Sequence, residues 1–287
     1  MMKLIIWDVQ HGSSAYLKTP LGKHIVIDLG SGDHSGNNDN FSPLLHLKNK
    51  CGVTQLDEVI ITHPHTDHID DIMNFDALRP KVILRPNHLS EDDVKKANPS
   101  KDQKKIDKYL EINKRYSLPV EDSENPKLGK NNGGVNIQTF IPTNCGTSNI
   151  NNHSVVTIIE YLGAKILIPG DNEAASWKEL LEKPSFIKAI KDTDIFVASH
   201  HGRESGYYSE LFKYFNPKLV IVSDGPEVET SVTDKYSKIA SGWNIYKRSE
   251  NEKIPHERKC LTTRKDGTLI IKVGKDNNRT FMNVTTD

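Results

Sequence analysis

Four side chains that can bind a metal ion lie within six residues of one another, directly after an apolar segment. His63, His65, Asp67 and His68 follow the residues VIIT. Imidazole nitrogen and carboxylate oxygen are ligands of borderline cations such as zinc. Side chains two positions apart on extended backbone point to the same side, so His63 and His65 can share one cation. Asp67 and His68 then lie where the chain turns into a helix and can face a second cation.

Two later apolar segments end in further candidate ligands. ILIPG leads to Asp171, and IFVAS leads to His200 and His201. Open α/β sheets bind ligands beyond the carboxyl ends of their strands, so we expect these loops to meet the first one at one edge. Asp171 is predicted to bridge two cations, although it could instead cap the helix that follows it. His201, just before Gly202, is predicted to bind metal, and His200 to contact substrate or act as a general acid.

Three further residues have two interpretations each. His153, in NNHSVV, either completes the ligands of the first cation or is a polar loop residue. His11, in WDVQHGSSA, either lines the floor of the site or has a structural role. Arg203, directly after the histidine pair, either makes a bidentate contact with a phosphate or is a solvated loop residue.

The pattern of apolar segments predicts the elements that hold these loops. KLIIWDV, SAYLKT and HIVIDLG are expected to form a meander of three strands at a sheet edge. The second half again alternates strands with helices, and CLTTRKDGTLIIKV is expected to close the chain as a hairpin turned at residues 265–267. This order predicts an α/β fold, an αββα sandwich of two mixed β-sheets flanked by helices.

A strongly charged segment at about 89–133 interrupts this alternation. It is compatible with helices and is interpreted as a helical insertion with a solvated face, within one domain that spans residues 1–287. The alternative is a lid whose cationic side chains meet an anionic ligand. The side chains concerned are Lys104, Lys105, Lys108, Lys114 and Arg115.

Composition limits the classes of protein to consider. The 287 residues can bury an ordinary core, and 38 basic residues balance 38 acidic ones. This balance argues against a dedicated nucleic-acid packaging protein, while a local basic groove stays open. We see neither a signal peptide nor an apolar run near the roughly 20 residues of a membrane span. Cys51, Cys145 and Cys260 form no C-x-x-C pair, so we expect reduced thiols in a cytoplasmic protein.

These motifs together resemble the metallo-β-lactamase fold. ITHPHTDHIDD matches its H-x-H-x-D-H metal motif, and HIVIDLG resembles I-x-I-D-x-G. NNHSVVTIIEYLGAKILIPGD resembles N-N-x-S-L-V running into L-x-x-G-D, and DIFVASHHG resembles S-H-H-G. Within that superfamily the chain is most similar to the hydrolase domain of ComEC-type DNA-uptake proteins and their stand-alone relatives. It departs from them at Ser13, often aspartate there, and in DKYSKI, which lacks a histidine; both departures put their DNA-uptake substrate in doubt.

The ligand set and the resemblance imply a hydrolase that uses two divalent cations, with Zn²⁺ expected and Mn²⁺ or iron as alternatives. A hydroxide shared by the cations would be the nucleophile, with Asp67 and His200 as the catalytic residues. The predicted ligands are His63, His65 and the weaker candidate His153 for one cation, Asp67, His68 and His201 for the other, and Asp171 as the bridge.

The substrate follows from charge. Two divalent cations exceed the negative charge of their predicted ligands, so an anionic ester is favoured. We therefore expect a phosphodiesterase or nuclease that acts on a nucleic acid or a nucleotide-like molecule, with His11 and Arg203 in contact with it. One alternative is a lactone, thioester or β-lactam substrate, and another is a non-catalytic metal-binding subunit of a defence or regulatory assembly. A homodimer or a larger protein complex is compatible with either.

Overall fold

The computed structural model describes residues 1–32, 41–225 and 231–287. Within these residues the strands are β1 (Met2–Ile6), β2 (Ala15–Lys18), β3 (His24–Ile27), β4 (Glu58–Ile60), β5 (Val82–Leu84), β6 (Asn136–Phe140), β7 (Val156–Tyr161), β8 (Ala164–Ile168), β9 (Ile195–Val197), β10 (Leu219–Val222), β11 (Trp243–Lys247), β12 (Pro255–Arg258), β13 (Cys260–Thr262), β14 (Leu269–Asp276) and β15 (Arg279–Thr286). The α-helices are α1 (Pro43–Asn49), α2 (Thr66–Ile69), α3 (Glu91–Ala97), α4 (Gln103–Arg115), α5 (Gly129–Asn132), α6 (Ala174–Leu181), α7 (Pro184–Ile190), α8 (Thr233–Ile239) and α9 (Thr263–Asp266).

The strands form two mixed sheets that pack face to face. One sheet has the order β12-β11-β15-β14-β1-β2-β3-β4-β5, and the other has the order β13-β10-β9-β8-β7-β6. Alternate residues of β1, such as Leu4, share a buried core with Ile166 of β8. Helices cover the outer faces, with Tyr109 of α4 against one sheet and Trp177 of α6 against the other. The predicted αββα sandwich is confirmed.

Two predictions about local topology are wrong. The first three strands do not lie at a sheet edge, because β14 and β15 pair alongside β1 and place β2 in the interior of the nine-stranded sheet. The closing segment is not a hairpin, because β13 pairs with β10 in one sheet while β14 pairs with β1 in the other. Helix α9 links these two strands. Both errors have the same cause, since pairing between distant segments leaves no trace in a local pattern.

The charged segment contains α3, α4 and α5. One face of α4 is buried, with Ile106, Tyr109 and Ile112 in the core beneath the nine-stranded sheet. The other face carries cations that pair with acidic groups of the chain itself, as expected for a solvated helical face. These ion pairs are Lys105–Asp70, Lys108–Asp76, Lys114–Glu91 and Arg115–Asp76. Among the described residues, no helix has the length and apolarity to cross a lipid bilayer.

Glu58, the first residue of β4, is a fully buried carboxylate. Its Oε1 lies 3.7 Å from Nζ of Lys127, and among the described residues no donor forms a hydrogen bond with either carboxylate oxygen. Burial raises the pKa of Glu58 from 4.5 to about 7, against the opposing charge of Lys127. Between pH 4.5 and about pH 7 the folded chain holds a proton on Glu58 that the unfolded chain has released. The free energy of unfolding therefore falls as the pH rises through this range.

We therefore expect Glu58→Gln to stabilise the protein at pH 8, because the amide cannot ionise. The gain in the free energy of unfolding should be about 1–3 kcal/mol at pH 8 and close to zero at pH 5. Urea denaturation at the two pH values measures it. Glu160→Gln, at a half-exposed position of β7, is the matched control and should show no such pH-dependent gain. An equal effect of Glu58→Gln at both pH values would contradict the assignment.

Candidate metal centre

The three loops singled out in the sequence meet at one edge of the sandwich. They follow β4, β8 and β9, which all run towards this edge. Gly170 allows the second loop to approach the first, because a Cβ atom at this position would lie only 2.7 Å from Cβ of Thr62. The backbone of Gly170 also has a φ of 61°, which favours glycine. A side chain at position 170 would therefore push Asp171 away from the first loop.

One nitrogen or oxygen atom from each of Asp67, His68, Asp171 and His201 lies within 4.8 Å of the other three. We call these residues the four-residue cluster. Nε2 of His201 lies 3.2 Å from Oδ2 of Asp67 and 3.5 Å from Oδ2 of Asp171. Nε2 of His68 lies 3.2 Å from Oδ1 of Asp171. Two carboxylates and two imidazoles that converge in this way can serve as ligands of one divalent cation.

His63 and His65 form a histidine pair beside this cluster. Nε2 of His63 lies 2.9 Å from Nδ1 of His65 and 3.9 Å from Oδ2 of Asp171. Asp171 thus lies between the histidine pair and the other three residues of the cluster, with one oxygen facing His63 and the other facing His68. The alternative role of Asp171 as a helix cap is wrong, because Glu173 is the N-cap residue of α6.

Asp28, at the end of β3, orients the first loop although the sequence reasoning did not select it. It is fully buried, and its Oδ2 accepts a hydrogen bond from Nδ1 of His68 at 2.8 Å. Its Oδ1 accepts the backbone N–H of Thr62 at 2.7 Å. A carboxylate that holds one nitrogen of a histidine ring directs the other towards the metal position. The available signal was a lone aspartate at the end of the apolar strand HIVI.

His201 is oriented in the same manner by a backbone group. Its Nδ1 lies 2.8 Å from the carbonyl oxygen of Ser223, which follows β10. Because a carbonyl oxygen only accepts, Nδ1 of His201 donates and Nε2 is left to face Asp67 and Asp171. Both histidines of the four-residue cluster therefore point Nε2 at the same place.

The charges inside the site respond strongly to one another. Burial lowers the pKa of His68, but Asp171 and Asp28 outweigh it and raise that pKa well above its ordinary value. Burial raises the pKa of Asp171, but His68 and His201 outweigh it and hold that pKa well below its ordinary value. Burial and the neighbouring His68 keep the pKa of His63 well below its ordinary value. The protein without metal thus keeps a proton on His68, and a cation that binds there must displace it.

His200 and His201 both face Asp171, although neighbours on a regular strand point to opposite sides. Their φ angles are 50° and 53°, and the φ of Gly202 is 71°, so three consecutive residues have left-handed backbone. Nε2 of His200 lies 3.8 Å from Oδ2 of Asp171, and its Nδ1 lies 3.0 Å from Oε1 of Glu173. The left-handed turn therefore brings a second imidazole to the site.

His11 and Arg203 lie together at the opening of the site. One guanidinium nitrogen of Arg203 is 3.2 Å from Nε2 of His11, and the other is 3.4 Å from Nε2 of His200. Nε2 of His11 is also 3.7 Å from Oδ2 of Asp67. The side chain of His11 is 53% exposed, so it lies at the rim of the site rather than on its floor.

His153 is directed towards other groups. Its Nδ1 lies 2.8 Å from Nε2 of His88, and its Nε2 faces the carbonyl oxygen of Gly146 at 3.5 Å. His88 follows β5, and nothing near it in the sequence indicates a partner. Both ring nitrogens of His153 thus contact groups outside the histidine pair.

Comparison with known sequences identifies a family. The model of the Metallo-beta-lactamase superfamily matches residues 7–223. ComE operon protein 3 of Bacillus subtilis (strain 168) is 24% identical over 174 residues, which cover 61% of this chain and 20% of that protein. The match therefore spans about a fifth of the length of this relative.

Comparison with solved structures finds the same architecture. A CmlA beta-hydroxylase mutant aligns with a TM-score of 0.53 and 10% identity, covering 94% of this chain and 54% of that one. Tm1679, a metal-dependent hydrolase of the beta-lactamase superfamily, aligns with a TM-score of 0.45 and 14% identity, covering 96% of this chain and all of that one. The likeness to the CmlA mutant shows the fold alone.

Proposed function

Because the chain belongs to the metallo-beta-lactamase superfamily of metal-dependent hydrolases, we propose that it hydrolyses phosphodiester bonds with two divalent cations. The substrate class we favour is a nucleic acid or a nucleotide-like molecule. Support comes from the donor atoms that converge at the edge of the sandwich and from the cationic group at its opening.

The residues present fit two cations. Their donor atoms are imidazole nitrogens and carboxylate oxygens, and the second nitrogen of His68 and of His201 is held by another group, as in metal-binding histidines generally. Divalent cations at such a site activate water and stabilise negative charge on a phosphoryl oxygen. The proposed ligands are His63 and His65 at one position, Asp67, His68 and His201 at the other, and Asp171 between them. Zn²⁺ is the cation we favour, with Mn²⁺ or iron as the alternatives.

Arg203 is the observation that carries the choice of an anionic substrate. Among the residues that the structure describes, its guanidinium contacts two imidazoles and no carboxylate. Burial, together with the neighbouring His201, lowers the pKa of both His11 and His200, so these rings are neutral partners. The charge of Arg203 is thus available at the opening, where it can form a bidentate contact with a phosphate.

The remaining roles follow from the contacts of each group. His200 donates from Nδ1 to Glu173 and can accept at Nε2 from the guanidinium of Arg203, so we assign it to positioning that arginine rather than to general acid catalysis. Oδ2 of Asp67 faces both His201 and the rim residue His11. We therefore assign Asp67 to accept a hydrogen bond from the water molecule that a bound cation would activate.

The test is an assay of metal-loaded protein, with Zn²⁺ and with Mn²⁺, against bis(p-nitrophenyl) phosphate, single-stranded DNA, RNA and a neutral lactone. We expect hydrolysis of the phosphodiesters, and we expect Asp67→Ala to lower the rate to that of metal-free protein. Arg203→Gln should raise KM for the phosphodiesters about 10-fold, since a hydrogen bond to a charged group contributes about 1.5 kcal/mol or more. Lys213→Gln, on an exposed side chain paired with Glu210, is the matched control and should leave KM unchanged.

Two outcomes would contradict the proposal. Hydrolysis of the lactone alone would show that the site serves neutral esters. Full activity of Asp67→Ala would show that hydrolysis does not depend on the four-residue cluster.

A further inference from the structure

The turn before β7 is held against the metal centre by one carboxylate. Nδ2 of Asn149 donates to Oε2 of Glu173 at 3.0 Å, and Nδ2 of Asn151 donates to Oε1 of Glu173 at 3.3 Å. Oδ1 of Asn149 accepts the backbone N–H of Asn151 at 3.1 Å. Because the amide nitrogen of Asn151 faces a carboxylate, its amide oxygen must point the other way. Glu173 also holds His200, so it fixes two side chains beside Asp171.

The amide oxygen of Asn151 has no hydrogen-bonding partner among the described residues. The residue is only 7% exposed, and its side chain lies beside the imidazole of His65. A buried oxygen without a partner destabilises the folded protein, so its presence needs an explanation. A group that is not part of the protein, next to His65, would supply the missing partner.

His153 is the competing residue on the same turn, and its contacts exclude it. Its Nδ1 lies 2.8 Å from His88 and its Nε2 faces Gly146, so neither nitrogen is directed at His65. On this turn the oxygen of Asn151 is therefore the group that can face the histidine pair. The ring of His153 instead contacts His88 and Gly146.

We propose that Asn151 supplies the third ligand of the cation at His63 and His65, through its amide oxygen, and that Glu173 positions it. This inference rests on the proposed two-cation site. The cation would then meet two imidazole nitrogens, the amide oxygen and an oxygen of Asp171. An oxygen in place of a third imidazole makes the ligand set harder, because carbonyl and carboxylate ligands suit Mn²⁺ whereas imidazole suits Zn²⁺. This position therefore favours Mn²⁺ more than a three-histidine site does.

The test measures metal binding and needs no substrate. Metal-free wild type, Asn151→Ala, Asn151→His and His153→Asn are titrated with Mn²⁺ and with Zn²⁺ by calorimetry, and bound metal is counted by elemental analysis. We expect two cations in the wild type and a loss of at least about 10-fold in affinity for one Mn²⁺ in Asn151→Ala, since groups that merely orient a ligand contribute 10–100-fold. Asn151→His should raise the affinity of that position for Zn²⁺ relative to its affinity for Mn²⁺. His153→Asn should keep both cations.

The outcomes separate this inference from the proposed function. Unchanged binding by Asn151→Ala, or loss of one cation in His153→Asn with Asn151→Ala unaffected, would overturn the role of Asn151 and leave phosphodiester hydrolysis untouched. Loss of affinity in Asn151→Ala together with wild-type hydrolysis of lactones alone would support the ligand and overturn the substrate. Should Asn151→Ala fail to fold, the change of metal preference in Asn151→His decides the question.

Discussion

Asp171→Asn is expected to reduce phosphodiester hydrolysis to the rate of the metal-free protein and to reduce bound metal from two cations to at most one. The two carboxylate oxygens face different histidines, with Oδ1 at 3.2 Å from His68 and Oδ2 at 3.9 Å from His63. An amide has the same size but carries no charge and has one acceptor atom, so it cannot serve both positions. Elemental analysis and the bis(p-nitrophenyl) phosphate assay measure the two effects.

Asp70→Asn is the matched control for this variant. Asp70 directly follows α2, the helix that contains Asp67 and His68, and its carboxylate accepts a hydrogen bond from Ser31 and pairs with Lys105. We expect the control to keep both cations and wild-type hydrolysis. Two bound cations in Asp171→Asn would show that the residue does not bridge.

Asp28→Asn is expected to weaken metal binding at the four-residue cluster about 10–100-fold. Residue 28 would not itself contact the cation and acts through His68. Both oxygens of Asp28 accept hydrogen bonds, one from His68 and the other from the backbone of Thr62. An amide in either orientation places its NH₂ group against one of these donors. When it faces His68, the ring proton is forced to Nε2, and that nitrogen can no longer bind a metal.

The measurement is a Zn²⁺ titration of the metal-free variant at pH 7, followed by hydrolysis at increasing Zn²⁺ concentration. Hydrolysis should recover as the metal is raised, because the ligands themselves are intact. Asp57→Asn is the control, since Asp57 is also buried and also accepts a backbone N–H, that of His24, at the opposite end of β4. Equal metal affinities in Asp28→Asn and the wild type would contradict the orienting role.

The local sequence predicted that three loops with candidate ligands would meet, because each of these loops follows an apolar strand. Two sets of parallel strands have their carboxyl ends at one edge of the sandwich: β3, β4 and β5 in one sheet, and β8, β9 and β10 in the other. The loops that contain His63, Asp171 and His201 follow these strands and therefore lie close together. An apolar segment that predicts a strand and a following loop rich in candidate ligands are both local signals, so the sequence alone showed them. The family model and the two-sheet architecture agree with that prediction.

What the sequence did not show are contacts made across long distances. Asp28 holds a histidine 40 residues away, and Glu173 holds Asn151 across 22 residues. Glu173 belongs to no motif, and the resemblance of HIVIDLG to I-x-I-D-x-G includes Asp28 without indicating its partner. The pairing of β14 with β1, from opposite ends of the chain, was missed for the same reason. The left-handed backbone conformation at His200 could not be predicted either, because two adjacent histidines do not indicate such a turn.

Because of that left-handed turn, we expect the stability of the loop at His200 and His201 to depend on whether a cation is bound. Each L-residue in such backbone costs about 1–2 kcal/mol, and His200 and His201 both adopt it. Contacts such as the hydrogen bond from Oγ of Ser199 to the carbonyl oxygen of Asn172 hold the turn closed. A cation that binds only the closed turn adds to its stability by mass action, so local opening of this segment becomes rarer as the site fills. If a cation binds as proposed, we therefore expect its occupancy to influence how often Arg203, one residue beyond the turn, is in position.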